Sequence, residues 1–210
     1  MDRPGNHRNV SLEMPAENGI PVIIVDSGVD SDLINSFCGT ANRAAGAEAA
    51  RKLCEAIGDA GEIAIVAHES TTQTSIERVE GFSEEIAQNH PNVTIVQTGY
   101  SDGEQEISAM VEGMMQQYPQ LKGVFCTNQQ VSNETLAVLE TKETAIKMVG
   151  FDYSEEQAEA IASGLQYGTV SQNPYSLGYA MIVAAARAAA GMTNDAFVDA
   201  GYQWMDQTNI

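Results

Sequence analysis

Polar side chains stand directly after several apolar runs of this sequence, and their types suit hydrogen bonding to a small polar molecule. Asp26 follows IPVIIV, Asn128 follows GVFCT, Asp152 follows KMVGF, and Gln172 follows YGTVS. Arg78 lies in a helical pattern beyond a further apolar run, EIAIVA. Carboxylates accept hydrogen bonds, a guanidinium donates in a planar fork, and amides do both. This set suits a neutral ligand with many hydroxyl groups. Because Asp and Asn are also common in turns, a turn or cap role is the alternative for each residue taken alone.

The elements that must position these residues alternate regularly between strand and helix. Short apolar runs rich in Val and Ile predict buried strands, and apolar residues at helical spacing predict amphipathic helices. The predicted strands are Ile20–Asp26, Glu62–Ala67, Val93–Gln97, Gly123–Thr127, Lys147–Phe151, Tyr167–Ser171 and one within Phe197–Met205. The predicted helices are Leu12–Asn18, Ala41–Ile57, Thr74–Asn89, Glu104–Tyr118, Ser132–Leu139, Ser154–Ala162 and Pro174–Ala190.

This alternation predicts an α/β fold with a doubly wound, mainly parallel sheet. Such sheets bind ligands beyond the carboxyl ends of their strands. We therefore expect Asp26, Asn128, Asp152 and Gln172 to converge at one edge, with the long side chain of Arg78 reaching the same edge. Residues 1–19 are polar, and we expect a poorly ordered tail that leads into the first helix.

The charge of the chain excludes several classes of partner. With 10 basic and 29 acidic residues, the formal net charge is -19. Such a chain repels phosphate backbones and anionic membranes, so we expect no nucleic acid and no membrane surface as a partner. A neutral small molecule or a protein remains, although the acidity also has a plain alternative explanation in solubility.

The cysteines and histidines give no sign of a cofactor or metal site in the sequence. Cys38, Cys54 and Cys126 are odd in number and match no zinc or redox spacing, so we expect small buried residues without disulfides. The three histidines are not clustered, and we expect His68 in a surface loop, with contact to the ligand as the alternative. No cofactor and no metal ligand are therefore predicted.

Several motifs, taken in order, resemble the ribose-binding family of periplasmic proteins. They are IPVIIVDSGVD, FCGTANRAAGAEAARKL, SIERVEGF, VFCTNQ, KMVGFD and GTVSQNPYSLGY. The resemblance covers about residues 19–210. It implies two α/β lobes that clamp a monosaccharide, with delivery to the permease of an ABC transporter. The residues that match the family's sugar contacts are Asp26, Arg78, Asn128, Asp152 and Gln172. Departures such as Ala41, Gln129 and Ser27 leave the identity of the sugar open.

The resemblance also implies a division of the chain. We expect a C-terminal sugar-binding lobe at 37–172 and about 196–210. Remnants of an N-terminal lobe are expected at 20–36 and 173–195, because the family's first segment has no counterpart here. Both remnants are strongly apolar, so we expect a homodimer, or a swapped assembly, through their exposed faces. We also expect this chain to bind sugar weakly or not at all, since a single lobe cannot close around it.

Three functional classes were weighed against one another. Solute binding for sugar transport is the leading interpretation, and the chain is expected not to be an enzyme, since neither Asp26 nor Asp152 has an evident proton-transfer partner. The alternative is the effector-binding domain of a regulator similar to the lac repressor. The resemblance implies a periplasmic or extracellular location for the intact protein, as a lipoprotein or secreted protein. The N-terminus MDRPGNHRNVSLEMP lacks the apolar core of a signal peptide.

Overall fold

A computed structural model of the chain describes residues 6–102, 105–142 and 144–210. The strands are β1 Ile23–Val25, β2 Ser36–Gly39, β3 Gly61–Ala67, β4 Val93–Tyr100, β5 Leu121–Cys126, β6 Lys147–Phe151, β7 Gly168–Gln172, β8 Phe197–Asp199 and β9 Tyr202–Met205. The helices are α1 Asn6–Glu17, α2 Asn42–Ile57, α3 Gln73–Asn89, α4 Ile107–Gln117, α5 Gln129–Lys142, α6 Glu155–Ser163 and α7 Pro174–Ala189. The predicted alternation of strands and helices is confirmed.

The chain divides into two compact units. Unit 1 comprises Met1–Ala41 and Asn173–Gly201, and unit 2 comprises Asn42–Gln172 and Tyr202–Ile210. The predicted α/β fold with mainly parallel sheets is confirmed. Among the described residues, no helix combines the length and the apolar character needed to cross a lipid bilayer.

Unit 2 is built on a six-stranded sheet with the order β4-β3-β5-β6-β7-β9. The strands from β4 to β7 pair in parallel, and β9 pairs antiparallel with β7 at one edge. Apolar clusters cover both faces: one is centred on α2, α3 and Phe125, the other on α4, α5 and Met148. Burial on both faces explains why these strands are continuous apolar runs in the sequence.

Two glycines let α2 and α3 approach each other closely. A Cβ atom at Gly46 would lie 2.2 Å from the carbonyl oxygen of Arg78, and one at Gly81 would lie 2.1 Å from that of Arg43. Any larger residue at either position would push the helices apart. The close contact therefore fixes the distance between α2 and α3, and with it the position of Arg78 on α3.

Unit 1 contains a three-stranded parallel sheet of order β1-β2-β8, with α7 packed against β1 and β2. The predicted strand Ile20–Asp26 is reduced to β1, and it is only partly buried where full burial was expected. The reason is that β1 lies at the edge of a small sheet. The face that α7 turns outward is apolar as well: Tyr175, Tyr179, Ile182 and Val183 are exposed.

The boundaries of the two compact units differ from those of the predicted lobes. Residues 37–41 and 196–201, which we assigned to the C-terminal lobe, lie in unit 1. The cause is the short strand β2, which is absent from the predicted strands. It pairs with β1 and β8. The single strand predicted within Phe197–Met205 is two strands, separated near Gly201, which has a left-handed backbone with φ of 77°. The first five residues of the predicted tail, and Glu104 of a predicted helix, lie outside the described residues.

Candidate functional site

The carboxyl ends of β5, β6 and β7 lie side by side in unit 2, because these strands are neighbours in the sheet. Asn128 comes two residues after β5, Asp152 comes directly after β6, and Gln172 is the last residue of β7. All three side chains are half-buried. The structure thus brings three predicted site residues to the same sheet edge.

Asp152 is the centre of this row. Its Oδ1 accepts a hydrogen bond of 2.6 Å from Nε2 of Gln172, and its Oδ2 accepts one of 3.1 Å from the backbone N–H of Gln129. Its backbone is left-handed, with φ of 67°, which is uncommon for a residue with a side chain. The hydroxyl of Thr169 donates to its carbonyl oxygen at 2.7 Å. These contacts fix the direction in which the carboxylate points.

Asn128 caps a helix, which is the alternative role named above for each polar residue taken alone. Its Oδ1 accepts a hydrogen bond of 2.9 Å from the backbone N–H of Val131, in the first turn of α5. This contact satisfies one of the N–H groups that a helix leaves unpaired at its N-terminus. The cap also orients the side chain, so a ligand at this edge would meet the amide nitrogen as a donor.

Arg78 is fixed in place beneath the same edge. Its Nε donates to Oδ1 of Asn42 at 2.8 Å, and its Nη1 donates to the carbonyl oxygen of Thr127, also at 2.8 Å. The guanidinium lies over the ring of Phe151, 3.7 Å from the ring centroid, in a cation–π geometry. Only 3% of Arg78 is exposed. The structure therefore places Arg78 next to the row through Thr127, the residue that precedes Asn128.

His68 lies in the loop after β3, as predicted, but its ring is half-buried and contacts residues of this site. Its backbone N–H donates to Oγ1 of Thr127 at 3.0 Å, and its Nδ1 lies 2.8 Å from the same oxygen. Its Nε2 lies 3.2 Å from Oγ1 of Thr74. Burial, helped by the positive charge of Arg78, lowers the pKa of His68 to about 4, so the ring is neutral at neutral pH. The ring thus holds Thr127, whose carbonyl oxygen in turn holds Arg78.

A signal for His68 was present in the sequence. His68 directly follows β3, in the same relation to its strand as Asp152 to β6. The rule that selected the other residues would have selected it too. Thr127 and Asn42 had no such signal, because their roles depend on contacts with Arg78 across the fold.

Asp26 lies in unit 1, where it repeats the local geometry of Asp152. It directly follows β1, its side chain is exposed, and its backbone is left-handed with φ of 69°. Its N–H donates to the carbonyl oxygen of Cys38 on the neighbouring strand at 2.9 Å, just as that of Asp152 donates to Val170 at 2.8 Å. Both predicted aspartates are therefore presented by the same turn at the end of a parallel strand.

Taken together, the unit 2 residues form a polar edge with oriented acceptors and donors. A carboxylate next to an amide suits a ligand hydroxyl, which donates and accepts at once. Hydrogen bonds to charged groups contribute more than those between neutral groups, about 1.5–3 kcal/mol each.

The three cysteines are free and buried, as predicted from the sequence.

Comparison with known proteins gives consistent matches over nearly the whole chain. Residues 11–193 match the family model of the periplasmic binding protein domain. The ribose import binding protein of Haemophilus influenzae is 25% identical over 166 residues, which cover 79% of this chain and 56% of that relative. The chain thus spans little more than half the length of this curated relative.

Solved structures agree with this match. A carbohydrate transporter solute binding protein from Agrobacterium radiobacter, in complex with D-arabinose, is 26% identical with a TM-score of 0.87, covering 94% of this chain and 70% of that one. An ABC transporter solute binding protein from Agrobacterium vitis with bound D-fucose is 25% identical with a TM-score of 0.88, covering 96% of this chain and 71% of that one. The folds of these proteins and of this chain are the same over the matched residues.

Proposed function

We propose, since the chain belongs to the family of periplasmic binding protein domains, that it binds a neutral monosaccharide without covalent chemistry. In this proposal it is part of the solute-binding component of a sugar ABC transporter. The intact protein is placed in the periplasm or outside the cell, and its protein partner is the transporter permease. The relatives described above are transport proteins, which favours this function over an effector domain of a transcription regulator.

The observation that supports the proposal most is the fixed carboxylate of Asp152. Gln172 and the N–H of Gln129 each occupy one oxygen, so the remaining lone pairs point in set directions. A sugar hydroxyl can donate to this carboxylate while it accepts from an amide of the same row. We propose Asp152, Gln172 and Asn128 as direct contacts of the sugar, with Arg78 as a donor. Asp26, which has the same strand-end geometry in unit 1, is proposed as a fifth contact.

The proposal concerns binding and not catalysis. The polar edge of unit 2 contacts one side of a ligand, and tight binding requires most of a ligand's surface to be buried. We therefore expect weak binding by this chain, with a Kd on the order of 1 mM, or about -4 kcal/mol. Nuclear magnetic resonance detects binding in this range, which calorimetry would miss.

The experiment is a titration of the 15N-labelled chain with D-ribose, D-arabinose and D-fucose. We expect amide shifts that saturate with at least one sugar and that are confined to residues near 26, 78, 128, 152 and 172. Asp152→Asn keeps the shape of the side chain but removes its charge, and it should weaken binding about tenfold or more. Glu159→Gln, on the exposed face of α6, is the matched control and should bind as the unaltered chain does. Absence of saturable shifts, or shifts unchanged in Asp152→Asn, would contradict the proposal.

We also propose that the chain forms a homodimer through the apolar surface of unit 1. Tyr175, Tyr179 and Ile182 follow one another at helical spacing on α7 and are 84%, 68% and 63% exposed. Exposed apolar patches of this kind favour association. Light scattering after size exclusion should give twice the chain mass. Ile182→Glu should give the monomer mass, whereas Ile210→Glu, an exposed apolar position in unit 2, should not. A monomer at high concentration would contradict this part of the proposal.

A further inference from the structure

Three side chains that can bind metal ions lie together at the end of unit 2 opposite to the polar edge. Cys54 belongs to the last turn of α2, Asp59 to the turn that follows it, and His90 caps the C-terminus of α3. The thiol, one carboxylate oxygen and one ring nitrogen all lie within 4.8 Å of one another. No sequence pattern predicts this grouping, because His90 is distant in sequence from Cys54 and Asp59.

The backbone holds each of these residues in place. The N–H of Asp59 donates to the carbonyl oxygen of Cys54 at 2.8 Å, and Asp59 has a left-handed backbone with φ of 54°. His90 donates its N–H to Ile86 at 3.0 Å and accepts from the N–H of Val93 at 3.0 Å. The close packing of α2 on α3 at Gly46 and Gly81 joins the two parts. The positions of the three residues are therefore set by backbone hydrogen bonds at the ends of α2 and α3 and by the close packing of these helices.

The ring of His90 has one nitrogen in use and one without a hydrogen bond. Its Nδ1 lies 2.5 Å from Oδ1 of Asp59. Its Nε2 is buried and has no hydrogen-bond partner among the described residues; the nearest carboxylate oxygen, Oε1 of Glu85, is 3.7 Å away. Buried polar atoms normally have a partner, so an unpaired ring nitrogen calls for an explanation. If an ion shared with Asp59 is bound by Nδ1, then Nε2 carries the ring proton and faces Glu85, and a carboxylate on the second nitrogen is the usual support of a metal-bound histidine.

We propose that Cys54, Asp59 and His90 bind a divalent metal ion of the zinc type. A thiolate, an imidazole and a carboxylate are the ligands that Zn²⁺ takes in proteins, whereas Ca²⁺ and Mg²⁺ take oxygen ligands. Ligand atoms around a tetrahedral Zn²⁺ are roughly 3–4 Å apart, given bonds of about 2.0–2.3 Å. The longer separations, up to 4.8 Å, would have to shorten, whereas Nδ1 of His90 and Oδ1 of Asp59, which are 2.5 Å apart, would have to move apart to admit the ion. Because Asp59 is exposed, water can complete the coordination.

Binding has a consequence for protons that can be measured. Cys54 is a free, buried thiol, and an unligated cysteine carries its proton for the most part at neutral pH. The metal–sulfur bond forms only with the thiolate. Each ion bound should therefore displace the thiol proton to the solvent, without any oxidation or reduction.

The experiment uses Co²⁺ as an optical probe and Zn²⁺ in calorimetry on the full chain. We expect a thiolate-to-cobalt charge-transfer band in the near ultraviolet, a 1:1 stoichiometry, and release of about one proton when the titration is repeated in buffers of different ionisation enthalpy. Cys54→Ala and His90→Gln should each weaken Zn²⁺ binding about 100-fold or more. Asp59→Asn, an exposed and conservative change that tolerates the left-handed backbone, should weaken it about tenfold.

The matched controls are Cys126→Ala and His68→Gln, a buried free cysteine and a second histidine of the same unit. Both should bind Zn²⁺ like the unaltered chain. Circular dichroism checks that every variant is folded, and Asp59→Asn keeps the test valid if Cys54→Ala is not. Absence of the cobalt band would overturn the proposal. So would a Zn²⁺ affinity of Asp59→Asn and His90→Gln equal to that of the unaltered chain. Because the cluster lies away from the polar edge, sugar titration decides the proposed function separately.

Discussion

Unit 1 and unit 2 contain the same kinds of element but bury their apolar surface to very different extents. Among the described residues, the buried apolar side chains belong to unit 2 with the exceptions of Cys38 and Ala184. The large apolar side chains that are exposed lie in unit 1, except for Tyr153 and Ile210. Since burial of apolar surface is the main stabilising contribution to folding, we expect unit 2 to provide most of the stability of the chain.

At the level of single turns, by contrast, the two units are alike. Asp26 and Asp152 follow a parallel strand in the same way, with nearly the same φ and the same hydrogen bond to the neighbouring strand. Local hydrogen bonds set this geometry, and they need no large core. Local geometry is therefore equal in the two units, whereas packing is not.

The largest expected effect comes from removing a core ring of unit 2. Phe82 stacks on Phe125 with ring centroids 4.6 Å apart, and both are fully buried. Phe82→Ala should lower the free energy of unfolding by about 3–5 kcal/mol through the cavity it leaves. Phe197→Ala, in unit 1, removes a ring that is 43% exposed and should cost about 1 kcal/mol or less. Urea unfolding measures both; equal costs would refute the comparison.

A smaller effect is expected from adding one methyl group to a helix of each unit. Gly46→Ala places a Cβ atom against the backbone of α3 and should destabilise the chain by about 1–3 kcal/mol. Gly178→Ala, in α7 of unit 1, meets nothing within 4 Å. It should stabilise the chain by about 0.5–1 kcal/mol, because alanine is the better helix former. Thermal unfolding of the two variants should shift in opposite directions.

Helix caps should behave alike in both units. Ser154 accepts from the N–H of Gln157 at the start of α6, and Asn173 accepts from that of Ser176 at the start of α7. Ser154→Ala and Asn173→Ala should each cost about 1 kcal/mol, because a cap acts within its own helix turn. Thr72, whose side chain makes no cap hydrogen bond at the start of α3, is the control, and Thr72→Ala should cost little. A clearly smaller loss for Asn173→Ala would mean that α7 itself is less firmly formed.

The smallest effect at neutral pH is expected from His68. The folded chain keeps His68 neutral down to about pH 4, whereas the unfolded chain protonates it near 6.5. The unfolded state thus binds more protons between these values, and the free energy of unfolding falls as the pH is lowered from about 6.5 to about 4. His68→Gln should make this fall shallower, with a slope that corresponds to a fraction of one bound proton less. Above pH 7, where His68 is neutral in both states, the substitution should not change how the free energy of unfolding depends on pH. Urea unfolding at several pH values tests this, and identical slopes for the two proteins would contradict it.

The sequence predicted the elements of unit 2 well, because each of them is a clear periodic run. β6 has the predicted bounds, and α6 lies between its cap residues Ser154 and Gly164, the latter with a left-handed φ of 84°. β2 was missed because its four residues, SFCG, are too short and end in glycine. Of the site, Asn128, Asp152 and Gln172 were found by the strand-end rule. These residues share one edge because β5, β6 and β7 are neighbours in the sheet. No single apolar run of the sequence predicts this order of strands.

The properties that follow from the sequence alone are local. They are where strands and helices begin and end, which faces are apolar, and which polar side chains follow the strands. Periodicity of side chains fixes these properties within a few residues. Only the tertiary structure decided that Arg78 is buried against Phe151, that His68 holds Thr127, and that His90 meets Cys54 and Asp59. These contacts join residues distant in sequence, so they depend on strand order, register and the close approach of α2 and α3. A local pattern does not specify such distances.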